Sequence, residues 1–326
     1  MQKLLTKNIP YCIIWNVFCI IICKIKIKHL FFYRRFKKMK RIVSLLLAMV
    51  LAFACFALTA CGSTDEIIVN TNAFFAPFEY YDGTEIKGVD VDIMNMVGEK
   101  LGKKVVFENT EFSAIIDNVA AGKVCDAGAA GITITDIRKE KVDFSTPYYT
   151  SVQYVIFAAD DASIVTKTVD GVEYIVWEAL AGKTIGTQMD TTGWIYVDGE
   201  IKATEDNDYG YAGVLYGTNT THKPFDNAQL AADGIKSNIV DAVVIDELPA
   251  EFIVSKNSGL KAVPLYYAGE TDAEDAPVEE QYAICVTKGN TELLTAINEV
   301  LDTLLKKDEN GVTEIEKLVM KHMGLE

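Results

Sequence analysis

Histidine and cysteine are scarce where a catalytic or metal centre would need them. The chain holds three His and seven Cys, and beyond residue 61 only His222, His322, Cys125 and Cys285 remain. A His-based metal site or a nucleophile–His triad has almost nothing to draw on. No Cys-x-x-Cys, His-Glu-x-x-His, Walker-type loop or Gly-x-Ser-x-Gly occurs after residue 61, so neither a cofactor nor a metal is expected and no enzyme class is indicated. Cys125 and Cys285 sit in the apolar runs "AAGKVCDAGAAG" and "QYAICVTKG", where two small buried hydrophobes are expected rather than a disulfide.

Acidic residues are missing from the first 60 positions and crowd the rest. Eleven of the 31 Lys and Arg fall in those 60 residues, so the remaining 20 face all 46 Asp and Glu, a formal charge of −26. A surface this acidic repels phosphate backbones, which excludes nucleic acid as an expected partner.

The N-terminal part is read separately. Residues 39–61, "MKRIVSLLLAMVLAFACFALTAC", run from a Met through two basic residues and an apolar stretch to Leu58-Thr59-Ala60-Cys61, the order of a secretory signal whose small-residue site ends in cysteine. The arrangement resembles the lipobox of bacterial lipoproteins, which implies a signal peptide over 39–60, lipidation of Cys61 and a tether over 61–65. Two or more acyl chains give stable anchoring, so the protein is expected at the outer face of the cytoplasmic membrane. Residues 1–38, rich in Ile, Lys, Phe and Tyr, are read as an upstream extension with Met39 as the start.

The remaining length exceeds one ordinary core and suggests two lobes. "EIIVNTN" and "KVVFENT" read as strands, "GVDVDIMNMVGEKLGKK" as a helix closed by Gly102, "FSAIIDNVAAGKV" as a helix starting near Ser113, and "CDAGAAGITIT" as a strand. Such alternation implies parallel strands with helical crossovers. The pattern restarts at "QYVIFAA", with "GVEYIVWEALAG" read as a helix, "KTIGTQ" and "NIVDAVVID" as strands around the helix "FDNAQLAADGIKS", and 195–224 as a loop-rich excursion. The strand "QYAICVTKG" and helices over 290–307 and 312–323 end the chain.

Two stretches, "AFFAPFEYYDGTEIKGVDVDIMNMVGEKLG" and "TEFSAIIDNVAAGKVCDAGAAGITITDIRKEKVDFSTPYYT", resemble the N-terminal lobe of the solute-binding proteins of polar amino-acid ABC transporters. The similarity continues more loosely through "AGKTIGTQMDTTG", "NIVDAVVIDELPA" and "QYAICVTKGNTELLTAINEVLDTLL". It implies the two-lobed α/β fold of type II periplasmic binding proteins, each lobe a mixed sheet flanked by helices. Lobe 1 is then expected over 66–154 plus 281–326 and lobe 2 over 155–280, with hinge strands near "SVQYVIF" and "EEQYAI". It further implies a monomer that captures a free amino acid and hands it to a membrane permease. The alternative on the same fold is a dehydratase-like enzyme.

The resemblance also assigns roles. Arg138 would meet the ligand carboxylate with two parallel hydrogen bonds, which a Lys cannot make, helped by the Thr133 N–H and by Thr191 and Thr192 from the other lobe. The Gly131 carbonyl, the Thr133 hydroxyl and Asp246 would face the ammonium, with Ala130 bordering them. Read alone, Asp246 is more often a helix N-cap for "ELPAEFIV" than a cleft residue. Phe75 and Phe112 would sandwich the ligand side chain, Asn72 would face its tip and Gln188 is a further contact. An amide at position 72 suits a neutral polar ligand better than a cation. The family usually has Gly where Asp190 stands.

Overall fold

The computed structural model describes residues 66–205 and 210–325. The signal, tether and lipidation readings, Cys61 included, lie outside the described residues. No helix among the described residues is long and apolar enough to cross a membrane.

The first sheet is built by the expected crossovers. Glu66–Thr71 lies between Lys104–Asn109 and Ala127–Gly128, parallel to both, with Val69 opposite Phe107 on one side and Ala127 on the other. The helices Val89–Leu101 and Phe112–Ala121 make the connections, and each stops at a left-handed glycine, Gly102 or Gly122, the residue that adopts this conformation without a Cβ clash. Cys285–Thr287 and Val142–Phe144 complete the sheet antiparallel. Ile93, Met94 and Val97 on the first helix and Ile297 and Leu301 on Thr291–Leu304 are buried in the core beside it.

The second sheet runs in the order Thr221–Phe225, Thr184–Gln188, Ala242–Asp246, Tyr149–Ala158, Leu260–Tyr267, Val172–Val176 and Lys167–Val169. Trp177, Leu180, Ile185, Val244 and Leu265 are fully or almost fully buried in its core. The chain crosses from the first sheet to the second along Tyr149–Ala158 and returns along Glu279–Tyr282. The start of the outgoing strand pairs with the return strand, Tyr149 opposite Tyr282, and its continuation pairs with Ala242–Asp246, Gln153 opposite Asp246. These adjacent strands include the stretches "SVQYVIF" and "EEQY".

Several local readings are corrected. The expected helix over "GVEYIVWEALAG" is the strand Val172–Val176 followed by a 3-10 turn, Trp177–Leu180; Tyr174, Ile175 and Val176 are aromatic or β-branched and are buried on sheet pairing. The expected loop over 195–224 contains most of the helix Thr192–Lys202 and the strand Thr221–Phe225. Its two glycines and its Val and Ile lower helix propensity, but the Thr191 cap and the burial of Val197 override it. Ser113 is not an N-cap, because its own helix already begins at Phe112, with Glu111 in the cap position. The expected strand "CDAGAAGITIT" is regular only at Ala127–Gly128, since Gly131 turns the backbone at φ +54°.

Candidate functional site

A cavity of about 290 Å³, open mouth included, lies between the sheets and is lined by eleven residues: Asn72, Phe75, Glu79, Phe112, Gly131, Thr133, Arg138, Gln188, Thr191, Thr192 and Asp246. Ten of them are the positions named from sequence. The eleventh named position, Ala130, is set back in the core with Ile115, Val119 and Ile132, because the chain around the Gly131 turn directs its methyl into the lobe. Glu79 takes its place in the lining.

The first wall comes from strand ends. Asn72 follows Glu66–Thr71, donates from Nδ2 to the Thr110 carbonyl at 2.8 Å, and accepts at Oδ1 from Gln188 Nε2 at 3.0 Å. Gln188 ends Thr184–Gln188, so this bond joins the two sheets across the cavity. Phe75 packs toward Phe78 and Tyr282, with ring centroids 6.2 and 6.4 Å away.

Arg138 is no surface charge. It lies on the short helix Asp136–Lys141, whose cap is the Thr135 hydroxyl accepting from the Arg138 N–H at 3.2 Å, and the residue is only 7% exposed. The guanidinium donates from Nη1 to the Thr133 carbonyl at 2.7 Å and from Nη2 to the Asp190 carbonyl at 2.9 Å. It also sits 5.4 Å from the Phe112 ring centroid, a favourable cation–π placement. Burial pulls its pKa down, while Glu280 and Asp246 nearby oppose the shift; a guanidinium stays protonated under that pull.

Facing it is the N-terminus of Thr192–Lys202. Thr191 caps this helix, accepting from the Trp194 N–H at 3.2 Å and donating to the Gln188 carbonyl at 2.8 Å. Asp190 occupies the left-handed region at φ +60°, where a glycine would rest freely and where Asp is among the better tolerated residues. The loop therefore keeps its turn despite the missing glycine. Unsatisfied N–H groups and the helix dipole make such an end receptive to an anion.

Two carboxyl groups, Asp246 and Glu79, also line the cavity. Asp246 stands at the N-cap of Glu247–Ser255, yet its side chain makes no cap bond. It turns inward to accept from Gln153 Nε2 at 2.6 Å. Burial and then the neighbouring Glu280 push its carboxyl well above the usual range. Glu79 is fully buried, and neither of its oxygens has a hydrogen-bond partner among the described residues; burial and the nearby Asp90 raise its pKa strongly. Asp90 accepts from the Gly131 N–H at 3.0 Å and from the Tyr148 hydroxyl at 2.5 Å.

Sequence reading missed Glu79, Glu280 and Gln153. Glu79 had a signal, a carboxylate inside the apolar run Phe74 to Tyr81. Glu280 was hidden in an acidic stretch, and only strand alternation, with Glu279 and Gln281 outward and Glu280 and Tyr282 buried, distinguishes it.

Two α/β sheets joined by a pair of adjacent strands, with a polar cavity at the strand ends between them, define the two-lobed class of type II periplasmic binding proteins. The chain belongs to the bacterial extracellular solute-binding proteins, family 3, which match residues 67–322. It is 30% identical over 285 residues to the arginine-binding extracellular protein ArtP of Bacillus subtilis (strain 168), covering 85% of this chain and 96% of that one. A probable histidine-binding protein of Campylobacter jejuni is 27% identical, covering 81% and 98%. The solved structure of an ancestral arginine-binding protein bound to arginine superposes with a TM-score of 0.61 at 32% identity, covering 79% of this chain and 97% of that one. These relatives are named for binding, not for catalysis.

Proposed function

We propose that the protein captures a cationic amino acid, of the arginine type, between its lobes and delivers it to an ABC permease. The observation that carries the choice of ligand is Glu79, a buried carboxylate in the cavity wall with no hydrogen-bond partner among the described residues. An ionised carboxylate in a dry site is costly unless paired, and a ligand's guanidinium would pair it. Arg138 and the helix end at Thr191 and Thr192 would hold the ligand carboxylate. Asp246, the Gly131 carbonyl and the Thr133 hydroxyl would hold the ammonium. Phe75 and Phe112 would enclose the aliphatic stem, with Asn72 and Gln188 beside the tip. Glu79 rather than Asn72 then sets the charge preference. The arginine- and histidine-binding relatives support the same class.

Contacts come from both sheets, so the ligand interacts more with the closed form than with the open one, and only that difference drives closure. The lobes are taken as 66–154 plus 281–326 and 155–280, and the working form as a monomer tethered through a lipid on Cys61.

A thermal-shift series with arginine, lysine, histidine, glutamine and citrulline tests the reading. At 100 times its dissociation constant a ligand adds about 2.7 kcal/mol to stability, and arginine should give the largest shift. Glu79→Gln should lose arginine's advantage and favour citrulline, whose urea group matches an amide. Equal or greater stabilisation of the unsubstituted protein by neutral amino acids would overturn the assignment.

A further inference from the structure

Behind the two cavity threonines lies an acidic side chain that does not line the cavity. Glu280, on the return strand, is 3% exposed. Its Oε2 accepts from the hydroxyl of Thr133, beside the first sheet, and from that of Thr192, on the second lobe's capped helix, both at 2.7 Å. Its Oε1 accepts from Gln153 Nε2 at 2.9 Å, and the same nitrogen donates to Asp246 Oδ1 at 2.6 Å. One amide nitrogen thus bridges two buried carboxyl groups.

The other titratable groups facing this pair are Arg138 from helix Asp136–Lys141, Tyr196 from helix Thr192–Lys202 and Tyr282 on the return strand. Arg138 donates from Nη1 and Nη2 to backbone carbonyls and not to either carboxyl. Two carboxyl groups this close in a dry site favour keeping a proton between them, and the nearby Arg138 opposes this only through space.

We propose that Glu280 is a positioning residue of the amino-group site, and that with it the Asp246–Glu280 pair binds the ligand's ammonium in exchange for a proton. The inference rests on the amino-acid-binding reading. Without ligand the pair holds one proton and one negative charge. When the ammonium arrives, its N–H donors replace that proton on Asp246, the pair becomes doubly negative against the new cation, and the proton leaves to solvent. Nothing is oxidised or reduced. The upward displacement of Asp246, caused by burial and then by Glu280, agrees with Asp246 holding the proton. Glu280 also joins a hydroxyl from each lobe, so a carboxylate that adds to the proton affinity of Asp246 also links the lobes.

The test is isothermal titration of the protein with L-arginine at pH 5, 6 and 7, each in two buffers of different ionisation enthalpy. About one proton should be released by the pair per arginine bound, and Kd should rise about tenfold per pH unit below the pair's titration. In Glu280→Gln, whose amide oxygen still accepts a threonine hydroxyl, that release should fall and the rise of Kd toward low pH should weaken, leaving what burial of Asp246 and Glu79 contributes. A purely structural role would weaken binding equally at every pH. Glu79→Gln is titrated alongside, because Glu79 faces the other end of the ligand.

Binding without proton release in the unsubstituted protein overturns the proposal, and that arm decides even if Glu280→Gln does not fold. Undiminished release in Glu280→Gln, or release lost only in Glu79→Gln, overturns it as well. Absence of any binding heat with arginine or the other common amino acids would instead refute the binding reading, and the exchange with it.

Discussion

At Gly131 the backbone takes φ +54°, and a Cβ built there would stand 2.7 Å from Phe75 Cε1. The left-handed conformation alone costs a residue with a side chain about 1–2 kcal/mol, and displacing a packed ring adds about 1–3 kcal/mol. Gly131→Ala should therefore lower the unfolding free energy in urea by about 2–5 kcal/mol and abolish the thermal shift with ligand, because Phe75 and Gly131 both line the cavity. Loss of stability with ligand binding intact would remove Gly131 from the ligand site. At the same scale, the tests of Glu79 and Glu280 ask whether one carboxylate reads the ligand's side chain and another its amino group.

Among the elements, helix Val89–Leu101 has the clearest pH signature. Asp90 in its first turn ties the helix to the Gly131 turn and to Tyr148, and burial lifts its pKa from 3.8 to about 6 despite those two hydrogen bonds. The folded state then binds the proton more tightly than the unfolded chain. Stability from this group is complete below about pH 4 and falls as pH rises to about 6, by up to about 3 kcal/mol at 1.4 kcal/mol per unit. Asp90→Asn, whose amide can still accept from Gly131 and meet Tyr148, should flatten the urea midpoint between pH 4 and 6. A residual slope of the same sign would belong to Glu79 and Asp246, which burial displaces in the same direction. An unchanged profile in Asp90→Asn would exclude Asp90 as its source.

For the whole molecule, the prediction concerns closure. Arg138 is anchored in the first lobe and Asp246 in the second, so Asp246→Ala should leave weak ligand capture while removing the gain made on closing. Truncating one member of a buried charge pair costs about 2–5 kcal/mol, a loss of about thirtyfold or more in affinity by the usual 1.4 kcal/mol per decade. Small-angle scattering should show the radius of gyration decreasing with arginine in the unsubstituted protein and not in Asp246→Ala under saturating ligand. Equal compaction in both would remove Asp246 from the closing contacts.

How much of this was legible in the sequence depends on the range of the interaction that decides each feature. The crossover helices and their glycine stops, the strands at "EIIVNTN" and "KTIGTQ", and the arginine after "GITIT" follow from periodicity, caps and a motif, all local. By contrast, "GVEYIVWEALAG" is a strand because a sheet edge receives it, and Thr192–Lys202 is a helix because its cap and buried face outweigh its glycines; neither partner is near in sequence. Asp246 stands where a helix cap would stand, and only the tertiary structure turned its side chain toward Gln153. Glu280 lies 147 residues from Thr133 and 88 from Thr192, and it is the fold that buries Glu79 where neither oxygen meets a hydrogen-bond partner among the described residues. Composition and short spacings thus determined the class of the chain, its lack of catalytic machinery motifs and most cavity residues. Tertiary structure alone decided which carboxylates are dry and which share a proton, because desolvation and pairing depend on what the whole chain packs around a group.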